Sequence, residues 1–270
     1  MEPSEYANLA TFENHYWWHV GRRSIVGRQL AMLNKNHRSL RILNVGSGTG
    51  GTVQVLADHG SVLNVDRSEE AVRLMRQNGY AASQMDGRRM PLPDGQFDLV
   101  AALDVLEHIQ EDDAALEEWT RLLKAGGHVL LTVPAYQWLW SGHDASLGHC
   151  RRYAAKGLQK LVRDAGLEVR KCSYAITFSF VPIVSFRFLQ KLFRPRVHKS
   201  SYVELPEFLN SFFIRLLKVE AFLLEKCSFP FGTSILIVAR KPAASRSDLE
   251  EAGIEIAADR GASRAAVAGA

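Results

Sequence analysis

The chain has 270 residues, 47% of them hydrophobic and 23% charged, which fits a soluble globular protein made of one α/β domain with a decoration or short second unit. The net charge of +4 is mildly basic and suits an anionic substrate, a nucleic acid or an acidic membrane surface without choosing between them. Three cysteines, Cys150, Cys172 and Cys227, are odd in number and match no zinc module, so a reducing, cytoplasmic setting is expected. The start, Met1-Glu2-Pro3-Ser4-Glu5, is acidic and has no apolar core, so no secretory signal is expected. The longest charge-free apolar stretch, between Lys171 and Arg187, contains Pro182 and falls short of the about 20 residues a membrane span needs.

In chain order, residues 11 to 33 have helical periodicity through Ile25, Val26, Leu30 and Leu33, with the aromatic cluster Tyr16-Trp17-Trp18 near the start. A short apolar strand, Arg41 to Val45, runs into the glycine-rich turn Gly46-Ser47-Gly48-Thr49-Gly50-Gly51. A second apolar run, Val62-Leu63-Asn64-Val65, ends at Asp66. Ser68 is a candidate N-cap, with Glu69 and Glu70 in the first turn where the helix dipole favours negative charge. A weak strand over 80–85 leads to Asp86-Gly87, and a fourth strand over 97–103 leads to Asp104-Val105-Leu106-Glu107-His108. Leu122 to His128 predicts a turn into a strand over 129–134. This alternation predicts a parallel sheet with crossover helices.

Two amphipathic helices interrupt the pattern between 175 and 228. The first has an apolar face of Ile183, Phe186, Leu189 and Phe193, interleaved with Arg187, Gln190, Lys191 and Arg194. The second, from about Pro206 to Lys226, has the stripe Leu209, Phe212, Phe213, Leu216, Val219 and Leu223. A last strand is expected over 234–240, and 243–270 has the composition of a disordered tail. The expected layout is an N-terminal helical cap over 1–37, a core domain over 38–242 carrying the helical insert 175–228, and the tail.

The glycine turn lets backbone approach a ligand without Cβ interference, and Asp66, about twenty residues on, can accept hydrogen bonds from a ribose diol. Gly46, Gly48 and Gly51 also satisfy the dinucleotide fingerprint, so an NAD-dependent oxidoreductase is one alternative. A catalytically silent cofactor-binding scaffold of the same fold is another. The ordered set from Asp66 through Asp86, Asp104 to His108, and Gly126-Gly127 before the fifth strand resembles the class I S-adenosylmethionine-dependent methyltransferases, especially the quinone-biosynthesis branch. The resemblance covers roughly 40 to 170. It implies a Rossmann-like, doubly wound, mostly parallel seven-stranded sheet, with the helical insertion before an antiparallel last strand.

It also implies S-adenosyl-L-methionine as cofactor, with Gly46, Ser47 and Gly48 at its methionine moiety and Asp66 at its ribose, next to Arg67. Asp86 and Gly87 fall at the adenine edge, and Leu103, Asp104 and His108 beside the reacting centre. Tyr16, Trp17 and Arg22 belong to a cap that closes over the cofactor; aromatic faces attract a sulfonium as they do other cations. The polar segment after strand five supplies candidate proton acceptors, His143 and His149 with His108 nearby. Its candidate acceptor-binding residues are Tyr136, Trp140, Arg151, Arg152 and Tyr153, the arginines suited to a phosphate or carboxylate. His143, Asp144, His149 and Cys150 are metal-ligand types, but their spacing is not diagnostic and no metal is expected.

The motif Asn/Asp-Pro-Pro-Tyr, expected after strand four for an amino acceptor of adenine or glutamine, is replaced by Asp104-Val105-Leu106-Glu107. The expected acceptor is therefore small or lipid-linked and offers an oxygen, or else a carbon. No nucleic-acid partner is expected. The apolar and basic residues over 182–226 leave three fates for the insert: packing on the core, a homodimer contact, or peripheral contact with an anionic membrane.

Overall fold

The computed structural model of the chain describes residues 11–193 and 205–243. Seven strands form one sheet: β1 (Leu40–Val45), β2 (Gly60–Asp66), β3 (Ala82–Gln84), β4 (Phe97–Leu103), β5 (Leu123–Pro134), β6 (Glu168–Ala175) and β7 (Ser234–Arg240). Their order is β3-β2-β1-β4-β5-β7-β6. β1 to β5 pair in parallel, and β7 runs antiparallel to both β5 and β6. The expected Rossmann-like doubly wound sheet is present.

The central strands are apolar without alternation because both faces are covered. Neighbouring side chains therefore enter different cores. Leu43 and Val100 pack with Leu116 and Trp119 of helix α4 (Asp112–Leu122) and with Leu158 and Val162 of α6 (Ala155–Asp164). Ile42 and Leu99 pack on the other face with Ile25 and Leu30 of α1 (Trp17–Leu33) and Leu217, Ala221 and Leu224 of α8 (Glu207–Lys226). Completing the set are α2 (Val53–Ala57), α3 (Glu69–Gln77), α5 (Gly142–Leu147) and α7 (Phe180–Phe193). Helix α3 starts as expected, with the Ser68 hydroxyl accepting a hydrogen bond from the Ala71 amide.

Several elements depart from expectation. Residues 11–12 are helical as expected, but a turn intervenes and helix α1 begins at Trp17, because Tyr16 is extended. The weak third strand shrinks to three residues. Strand β5 starts at Leu123, and the expected turn becomes an irregularity within it: Phe97 pairs with Leu123, then Leu99 with His128, with Gly126 in the left-handed region (φ 79°) between them.

Helix α8 buries a different face from the expected stripe. Leu217, Glu220, Ala221 and Leu224 are inside, whereas Phe212 (55% exposed), Val219 and Leu223 face out with Phe208 and Phe222. Phe186, Leu189, Phe193, Arg187, Gln190 and Lys191 have side chains outside the described set, and Arg194, Arg196 and Lys199 lie outside the described residues, as does the tail from 244 onward. Among the described residues no helix is long and apolar enough to cross a membrane.

Candidate active site

The carboxyl ends of β1, β2, β4 and β5 open into one cavity of about 770 Å³. Ligands bind at this edge of an open α/β sheet because the strand order reverses there, between β1 and β4. At the end of β1, Gly46 takes a left-handed conformation (φ 63°), and a Cβ on it would lie 2.5 Å from Val105 Cγ2. The turn can therefore be close to the neighbouring strand only with glycine there. Gly46, Ser47 and Gly48 all line the cavity, and Arg67 does so too.

Asp66 lines the same wall. Its Oδ2 accepts the Gly48 amide at 2.9 Å and its Oδ1 accepts the Ser68 amide at 2.8 Å. A carboxylate has about four acceptor sites, so lone pairs remain for a diol. Asp86 and Gly87 form the next part of the wall. They also make a turn, in which Arg89 N donates to Asp86 O. The Arg88 guanidinium beside Asp86 holds that carboxyl below its ordinary range, against the opposing effect of burial. The Gly87 carbonyl is fixed by the Trp119 indole N–H at 2.9 Å.

The N-terminal segment straps across the glycine turn. Glu13, missed in the sequence, is buried, and Thr49 Oγ1 donates to its carboxylate at 2.6 Å. Burial raises the Glu13 pKa, opposed by Thr49 and by the charges of Arg23 and Arg22. Tyr16, Trp17 and Arg22 line the cavity as expected. The Arg22 guanidinium pairs with Asp104 and lies 4.8 Å over the Trp18 ring. Asp104 is in the left-handed region (φ 58°) directly after β4, and Thr132 Oγ1 donates to its other oxygen at 3.2 Å. Leu103, Asp104 and His108 all line the cavity.

The opposite wall comes from the segment after β5. His143, His149 and Arg152 reach the cavity. The other expected acceptor contacts are corrected: Tyr136, Trp140, Arg151 and Tyr153 are not on its wall. Tyr136 stacks on Tyr174, with centroids 5.0 Å apart. Tyr153 is buried, its hydroxyl donating to Asp112 at 2.8 Å, and Arg151 pairs with the same carboxylate at 2.9 Å. Arg152 bonds Asp144 at 2.7 Å and the Ala135 carbonyl at 3.1 Å, so both arginines serve the fold rather than an open anion clamp.

Asp144, fully buried, organises this wall. Its Oδ1 meets His149 Nδ1 at 3.0 Å, and its Oδ2 accepts the Ser141 amide at 2.8 Å. Burial alone would raise its pKa, but the hydrogen bond from His149 and the charge of Arg152 hold it far below the ordinary carboxylate value. An ionised Asp144 requires Nδ1 of His149 to be the donor. His108 Nδ1 faces the Gly148 carbonyl at 3.3 Å and must donate as well. Burial, then the charge of His149, lowers the His108 pKa to about 4, so the ring is neutral. A neutral ring that donates from Nδ1 keeps its lone pair on Nε2.

Glu107 is the second residue the sequence concealed. A glutamate after a strand is surface material by default, yet this one is fully buried on the cavity wall. Among the described residues, no other residue donates a hydrogen bond to either carboxyl oxygen. Burial, then the charge of Asp104, raises its pKa well above the ordinary value.

A reversed-order sheet with an antiparallel seventh strand, and a glycine turn and acidic strand end at its switch point, is the architecture shared with solved methyltransferase structures. The methyltransferase-domain family model matches residues 43–131, so this part of the chain is a methyltransferase domain, similar to those of class I S-adenosylmethionine-dependent methyltransferases. It is 30% identical over 164 residues to a probable S-adenosylmethionine-dependent methyltransferase of Mycolicibacterium smegmatis, covering 58% of this chain and 61% of that protein. It is 27% identical over 164 residues to the ubiquinone/menaquinone biosynthesis C-methyltransferase of Bordetella parapertussis, covering 48% and 64%. The chain thus spans less than two thirds of the length of either relative. An S-adenosylmethionine-dependent methyltransferase structure from Archaeoglobus fulgidus shares the fold, with a TM-score of 0.53 at 16% identity over 81% of this chain and 94% of that one. The cofactor of the family is S-adenosylmethionine. The lining fits it: Asp66 keeps acceptor lone pairs, the glycine turn brings backbone to the cavity, and the rings of Tyr16 and Trp17 line it.

Proposed function

We propose that this protein methylates an oxygen of a small or lipid-linked acceptor, with a carbon acceptor as the second reading. The observation that carries the proposal is that one cavity joins Asp66 to a wall on which His108 and His149 each have Nδ1 held by an oxygen. S-adenosylmethionine would supply a methyl group on a sulfonium, transferred in line to the acceptor with the neutral thioether as leaving group. Gly46, Ser47 and Gly48 hold its methionine end, Asp66 its ribose, and Asp86 with Gly87 its adenine edge. Tyr16 and Trp17 exclude water from above, which strengthens electrostatics within. An acceptor hydroxyl donates to Nε2 of His149 or His108, which draws off the proton as the new bond forms. Asp144 favours that transfer at His149 because its charge steadies the protonated ring.

Two observations favour a lipid-linked acceptor. A relative acts in ubiquinone and menaquinone biosynthesis by its name. Ile183 of α7 puts an apolar side chain on the cavity wall, while Val181 (64%) and Phe188 (68%) of the same helix are exposed on its outer face. The exposed stripe of α8, flanked by Arg215, Lys218 and Lys226, supports contact with an anionic membrane surface.

The deciding experiment incubates the protein and methyl-labelled S-adenosylmethionine with water-soluble and lipid fractions of a bacterial extract. Label enters the lipid fraction, and His149→Ala abolishes most of it. A protein that binds the cofactor but labels neither fraction is a silent scaffold. One that binds NAD instead is an oxidoreductase.

A further inference from the structure

A carboxyl on the cavity wall beside the two imidazoles has no part in methyl transfer as described. Glu107 is fully buried, faces the cavity, and has no hydrogen bond from any other described residue. The charges around it are already matched: Asp104 pairs with Arg22, and Asp144 with Arg152. A buried carboxyl without a partner is either protonated or completed by a bound cation.

Its neighbours are suited to share one. A ligand atom from each of Glu107, His108 and His149 lies within 4.8 Å of the other two. The two rings approach edge to face, with centroids 4.7 Å apart. Each has its Nδ1 engaged by an oxygen, Asp144 Oδ1 at 3.0 Å for His149 and the Gly148 carbonyl at 3.3 Å for His108. A carboxylate or carbonyl on the far nitrogen is the outer arrangement that aims an imidazole at a metal and raises its basicity. The set that the sequence offered, with Asp144 and Cys150, is not the one that converges. Asp144 is fully used by protein partners, and Cys150 is exposed.

We propose that Glu107, His108 and His149 form a divalent transition-metal site on the acceptor wall, with Asp144 and the Gly148 carbonyl orienting its two imidazole ligands. One carboxylate and two imidazoles suit zinc, cobalt or manganese better than magnesium or calcium, which prefer oxygen shells. Three protein ligands leave a coordination position open to an oxygen of the acceptor. The inference deepens the role given to the histidine wall: a cation there takes over the acidification of the acceptor hydroxyl, with the rings as its ligands.

The test is direct binding, which needs no acceptor and no methyl transfer. The full chain, stripped with chelator, is titrated with Co²⁺ and followed by visible absorption. One equivalent binds with ligand-field bands. Glu107→Gln, which keeps the shape of the side chain, and His149→Ala each weaken binding at least about tenfold. Thermal unfolding of both variants verifies that they are folded. No bands at one equivalent, or Co²⁺ affinity in Glu107→Gln equal to that of the unaltered protein, overturns the site. Methylation without Co²⁺ binding removes the metal and keeps the methyltransferase. Co²⁺ binding without methylation does the reverse.

Discussion

Asp144 accepts from His149 Nδ1 at 3.0 Å with one oxygen and from the Ser141 amide at 2.8 Å with the other. A single buried carboxylate thus starts helix α5 and orients an imidazole on the cavity wall. Asp144→Asn removes the charge that fixes the His149 tautomer while keeping the volume. Turnover should fall at least about tenfold, with S-adenosylmethionine affinity changed less than about twofold, since general-base assistance is worth about 10²–10⁴. Steady-state kinetics beside calorimetry reads this. Equal losses in affinity and turnover would mean that Asp144 only holds the fold.

Asp66 should carry cofactor affinity. Asp66→Ala removes its charge-assisted bonds to the ribose, each worth about 1.5–3 kcal/mol, and frees the Gly48 and Ser68 amides it now holds. Calorimetric titration with S-adenosylmethionine should show at least tenfold weaker binding, roughly 1.4 kcal/mol. Unchanged affinity would sink the assignment.

Glu220 is fully buried on α8 and accepts the Ile176 amide and, at 2.9 Å, the Thr177 amide, with Phe178 at 3.4 Å. Ile176 is a β-branched residue in the left-handed region (φ 59°) just past β6. Such a residue stays there only where its surroundings over-determine it. Glu220→Ala orphans the three amides it accepts and should cost about 2–4 kcal/mol in urea unfolding. A loss below about 1 kcal/mol would show that the turn holds without its carboxylate.

His19 is buried, and burial, followed by the charges of Arg22 and Arg23, lowers its pKa from 6.5 to about 3. The unfolded chain therefore binds a proton that the folded protein refuses. Stability from this group is complete above pH 6.5 and declines as the pH falls toward 3. The urea midpoint of His19→Gln should drop less over that range than that of the unaltered protein. Parallel curves would remove His19 as the cause.

The chain order of residues was enough for the sheet and for one wall of the cavity. Strands β4 and β7 stand where their apolar runs predict, because a strand covered on both faces needs only continuous apolar residues. The glycine turn, Asp66 and the Ser68 cap were legible for the same reason: turns and caps act within a few residues. All residues expected to hold the cofactor do line the cavity.

The other wall was decided by tertiary packing. Helix α1 has no local side-chain cap; Asn210 of α8 accepts the Trp17 amide and donates to the His15 carbonyl, both at 2.8 Å. No local pattern relates residues so far apart in sequence. The arginines after β5 read as ligand clamps, yet Asp112 and Asp144 had already taken them. Glu107 reads as surface and is buried. The physical reason is the range of the forces involved. Periodicity and turn chemistry are fixed by neighbours in sequence. The partner of a charge, and hence which charge is left for a ligand, is fixed by whichever side chain the folded chain brings within hydrogen-bond reach.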